Sequence, residues 1–71
     1  MTDERVRAAQ TQRCVIEVLH HGPATPAQVI KMVLEIDDRM YSSDRVRGAI
    51  NTLLNRHEVT IEGGQVRLSR P

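Results

Sequence analysis

Apolar residues recur along this chain at a helical period up to about residue 57 and at an alternating period beyond it. In the first segment Ala8, Thr11, Cys14, Val15, Val18 and Leu19 share one face at the 3.6-residue period, which predicts a helix over about 3–21. Thr2 or Asp3 would cap it, and Gly22-Pro23 after His20-His21 would stop it. Ile16 points away from that face, near Ala9, and is read as a second contact inside the fold in preference to a dimer surface. The second segment opens with Thr25-Pro26-Ala27-Gln28, a capping box with proline at the first helical position. Val29, Ile30, Val33 and Leu34 follow as a stripe with Ile36 nearby, which predicts a helix over about 26–36. Acidic residues from Glu35 to Asp38 oppose the helix dipole and mark its end. The third segment starts at Ser42 or Ser43. With Ser42 as the cap, Tyr41 and Val46 would form a hydrophobic staple. Val46, Ile50, Leu53 and Leu54, with Ala49 at the edge, predict a helix over about 43–57. Beyond it Val59, Ile61, Val66 and Leu68 alternate around Gly63-Gly64, the pattern of a β-hairpin over about 59–69 that must pack its apolar side on the helices.

This reading gives a single domain over residues 1–71, mainly α with a small β-hairpin. The Met1 start fits a chain complete as it stands. Composition sharpens the picture: Tyr41 is the one aromatic residue, so the core has to be aliphatic, which suits a helical miniprotein better than a sandwich or barrel. Apolar runs reach three residues at most, far below the ~20 that span a bilayer, and no signal peptide opens the chain. Cys14 is the only cysteine, so no intrachain disulfide forms and a cytoplasmic, reducing location is expected. His20, His21, His57 and Cys14 show no ligand spacing of a known zinc type, and no metal or cofactor is expected. No nucleophile triad, P-loop or dinucleotide fingerprint is present, and the length argues against an enzyme.

The net charge is only +1, but it is unevenly distributed: residues 1–42 carry net −1 and residues 43–71 net +2. Nine of the ten basic residues are arginine, the side chain suited to bidentate contact with phosphate or guanine; a GC-rich coding bias accounts for the same count.

Three helices followed by a hairpin resemble the winged helix-turn-helix domain. The resemblance spans roughly residues 11–69 and rests on 15–19 before Gly22-Pro23, on 24–30, on Ser43 to Leu54, and on the Gly63-Gly64 tip. It implies that the third helix enters the major groove and that the hairpin, as a wing, touches the backbone or minor groove. The chain departs from the family in one place. About seven residues, Ile36 to Ser42, join the second and third helices where the standard motif has three or four, and Met40-Tyr41 would form a short strand there.

On the third helix the inward stripe leaves Asp44, Gly48, Asn51, Thr52 and Asn55 outward, with Ser43 at its start and Arg45 and Arg47 flanking. Asparagine pairs bidentately with adenine and arginine with guanine. Gly48 costs about 1 kcal/mol inside a helix relative to alanine, and close approach to a groove would repay it. A plainly solvated polar face is the competing account. On the wing, Gln65, Arg67 and Arg70 are candidate phosphate contacts, opposed by Glu62. Thr25 and Gln28 at a helix N-terminus are further candidates, with capping as the alternative role. The expected partner is double-stranded DNA, bound by a homodimer, because one small module buries too little DNA surface for high specificity. The alternative is a protein-interaction module or inhibitor of a larger machine, favoured by the near-neutral charge and by Asp44, Glu58 and Glu62 near the proposed DNA face.

Overall fold

The computed structural model describes residues 3–69; Thr2 and Arg70, offered above as a cap and a phosphate contact, lie outside the described residues. Three helices precede one hairpin: α1 (Asp3–Leu19), α2 (Pro26–Ile36), α3 (Ser43–Asn55), β1 (Val59–Glu62) and β2 (Gln65–Leu68).

Local chemistry sets these boundaries. α1 ends two residues before the expected His21, because the last N–H groups switch to shorter i→i−3 bonds, His21 to Val18 and Gly22 to Leu19. The α2 start is a reciprocal capping box. The Gln28 N–H donates to Thr25 Oγ1 at 3.2 Å, and the Thr25 N–H donates to Gln28 Oε1 at 3.0 Å. Ser42 caps α3, its Oγ accepting from the Arg45 N–H at 3.3 Å. α3 stops at Asn55, short of the expected 57, in a Schellman motif: Glu58 N–H reaches Leu53 O at 2.9 Å and His57 N–H reaches Leu54 O at 3.1 Å. His57 takes the left-handed position that closes this motif, at φ 60°.

The core is aliphatic. Val15, Val29, Val33, Val46 and Val66 are wholly buried, with Leu53 and Val59 almost so, and Ile16, Ile30, Met32, Tyr41, Leu54 and Leu68 pack around them. Thr11 joins this interior, its hydroxyl donating to Arg7 O at 2.7 Å, so the one buried polar side chain among the described residues is satisfied within its own helix. Ile16 makes the intramolecular contact expected of it. Ala8, expected on the core face, is exposed, as are all residues of 5–10: this part of α1 borders open surface grooves beside α3 and the α2–α3 connection and is not covered by the core.

Two further expectations are corrected. Met40-Tyr41 is not a strand. Asp37 Oδ1 accepts from the N–H groups of Arg39 (3.0 Å) and Met40 (3.1 Å), so the α2–α3 connection is an Asx-type turn. The strand-like residue sits instead between α1 and α2. Ala24 pairs with Val66, donating to Val66 O at 3.1 Å and accepting from Val66 N–H at 2.7 Å. β2 is therefore flanked on both sides, by Ala24 and by antiparallel β1, in the register Val59↔Leu68 and Ile61↔Val66. Ile61, expected to face the core with Val66, departs from that pattern. It lies toward the Gly63-Gly64 tip and is 49% exposed, whereas its cross-strand partner Val66 is fully buried and Val59, at the other end of the same strand, almost so. Gly63 and Gly64, at φ 59° and 78°, supply the two left-handed positions that a two-residue type I′ turn needs.

Three helices and a hairpin docked back on the α1–α2 loop make this a mainly α fold of the winged helix-turn-helix type. Among the described residues, no helix is long and apolar enough to cross a membrane.

Candidate nucleic-acid interface

α3 buries Val46, Ala49, Ile50 and Leu53, which turns the opposite side of the helix outward. On that side Ser43, Asp44, Arg47, Gly48, Asn51 and Asn55 are all exposed, so two amides and a guanidinium stand on one helix face. Arg45 and Thr52 are only half-exposed. Together with Gly48 they border a groove whose other wall is Ala8, Thr11 and Gln12 of α1. The spacing 45, 48, 52 is i, i+3, i+7, one flank of the helix, and that flank turns toward α1. Thr52 also spends its hydroxyl on Gly48 O at 2.9 Å. The α1 wall was not among the residues expected in the site; the same spacing, drawn on a wheel with the core stripe, is the signal that α1 walls one side.

Gly48 sits where the outward face meets this groove. A Cβ added there would meet nothing among the described residues within 4 Å. Packing inside the chain therefore does not require glycine at this position, and the helix carries its cost of about 1 kcal/mol with no return from within the fold.

On the hairpin, Gln65 and Arg67 are exposed beside the Gly63-Gly64 tip. Arg67 Nη1 lies 3.5 Å from Glu62 Oε2, an exposed ion pair, so a phosphate would compete with a carboxylate for this guanidinium. Thr25 and Gln28 stand at the α2 N-terminus, their side-chain oxygens engaged in the capping box. Arg56, assigned no role from sequence, braces the end of α3: Nη1 donates to Gln12 Oε1 at 3.3 Å and Nε lies 3.4 Å from Glu58 Oε2.

Cys14 is buried in the core, and its thiol is pushed above its ordinary range chiefly by burial; the Tyr41 hydroxyl, its hydrogen-bond partner, opposes the shift and Glu17 adds to it. A protonated, enclosed thiol is a poor nucleophile and a poor ligand. Among the described residues no three His, Cys, Asp or Glu side chains come together as a metal site.

Comparison of the chain with protein-family models, with curated proteins and with solved structures gives no match. The functional reading therefore rests on the geometry of α3 and the wing.

Proposed function

We propose that this chain is a small, non-enzymatic, sequence-specific regulator of transcription that binds double-stranded DNA in the cytoplasm as a homodimer. α3 lies in the major groove, and the hairpin rests on the backbone or minor groove. Gly48 carries the reading: an exposed glycine inside a helix, unused by the chain's own packing, fits a helix whose surface must come close to another molecule. Asn51, Asn55 and Arg47 read base edges, with Arg45 at the flank, while Arg67 positions the wing on phosphate.

The test is selection of bound duplexes from a random-sequence pool at about 150 mM salt, followed by sequencing. Enrichment of a motif supports the reading, and a palindromic motif supports the dimer. Asn51→Ala or Asn55→Ala should relax preference at one base position, by about 1–3 kcal/mol of discrimination. Arg67→Ala should weaken binding to all sequences alike and reduce the salt slope by about one. Wild-type behaviour from both kinds of variant would place the reading face elsewhere.

A second reading has its own observation. The Glu62–Arg67 pair and the exposed Asp44 lower the positive potential of the face, as expected of a winged helix that docks on a protein. Absence of any DNA retention at physiological salt would select it.

A further inference from the structure

We infer that the outward face of α2 is where a second copy of this chain packs, with the two α2 helices antiparallel. The inference deepens the homodimer part of the function proposed above by naming its interface. α2 carries two apolar stripes. Val29 and Val33 are buried in the core. Ala27, Ile30 and Leu34, at i, i+3 and i+7, lie a quarter to a half turn further round and line an open groove together with Ile36, which is 62% exposed. No residue of α3 or of the hairpin lines this groove, so a molecule seated in it leaves α3 and the wing uncovered.

Charge selects the occupant and its direction. Lys31 and Glu35 are both exposed on the same flank of the second stripe. In an antiparallel pair each flank faces the same flank of its counterpart, so Lys31 of each copy meets Glu35 of the other; a parallel pair would not bring them together. Glu35, Asp37 and Asp38, offset in part by Arg39, also crowd the C-terminal end of α2, where acidic groups oppose the helix dipole, and the helix has no acidic residue in its first turn and no basic residue in its last. Antiparallel packing lays that acidic end beside the positive end of the other α2. The surface complements itself, which is what a two-fold interface demands.

The size of the face sets the strength. An 11-residue helix is about 16 Å long, and one side of it buries on the order of 300 Å². That is well under the ~800 Å² per partner of a standard interface, so the dimer is weak in free solution.

Sedimentation equilibrium of the full chain from about 20 to 500 µM should show the 8.0 kDa monomer passing toward twice that mass. Leu34→Glu should remain monomeric with an unchanged far-UV spectrum. Lys31→Glu and Glu35→Lys should each weaken self-association at least roughly fivefold, and an equimolar mixture of the two should recover it. Recovery on mixing cannot come from pairing within one helix, since each chain keeps its own like charges. A monomer at every concentration, wild-type association by Leu34→Glu, or no recovery on mixing overturns the inference. The duplex selection reads separately: a monomer that retains DNA removes this interface and keeps the DNA reading, and a dimer that retains none does the reverse.

Discussion

Gly48 and Ala8 show how far one residue can be read without its neighbours. The inward stripe of α3 correctly put Gly48 outside the core, but sequence alone could not show that none of the described residues occupies the space of its missing Cβ. Nor could it show that Ala8, on the nominal core face of α1, stays exposed at the wall of an open groove against α3. Helical period fixes the direction of a side chain; where the body of the protein ends is a tertiary fact. A single substitution separates the two accounts of Gly48. Gly48→Ala should raise the free energy of unfolding in urea by about 1 kcal/mol, since alanine fits without a clash and favours the helix. In the same variant DNA affinity should fall. A stabilised variant with undiminished affinity would mean that no groove edge approaches this position.

At the scale of elements, the sequence was most informative where a short motif spends its own hydrogen bonds. Thr25-Pro26-Ala27-Gln28 set the start of α2, Ser42 set the start of α3, and Gly63-Gly64 set the turn, because each satisfies or frees backbone groups within a few residues. The α2–α3 connection was misread for the opposite reason: the Asp37 side chain captures two amides that a strand would have left for a distant partner. The Ala24 bridge carried no alternating pattern to betray it, being one residue long. The end of α3 was misplaced by two residues because its closing position is filled by histidine, not the usual glycine. His57→Gly should relieve the left-handed strain and stabilise the protein by about 1 kcal/mol. That amounts to a rise in melting temperature of about 4–8 °C, measurable by circular dichroism. An unchanged or lower melting temperature would show that the His57 side chain repays the strain.

For the whole molecule, hairpin and helices share one core. Val59 and Val66 are part of the core, and β2 is joined on its far side to the loop that precedes α2. A chain ending at Glu58 would lose both valines and the partner of Ala24, and should show no cooperative thermal transition; a sharp melt of that fragment would mean that the helices suffice alone. The candidate site was less legible than the fold. The exposed residues of α3 follow from its inward stripe, but the α1 wall beside Arg45 and Thr52 and the carboxylate on Arg67 depend on how elements meet. Ala24 has a mechanical consequence as well. With its N–H and C=O both committed to Val66, it acts as a rivet between the wing and the start of α2. The hairpin is thus tied one residue away from Thr25, the cap of α2, so displacing β2 from its place means breaking both hydrogen bonds to Ala24 or carrying the start of α2 along.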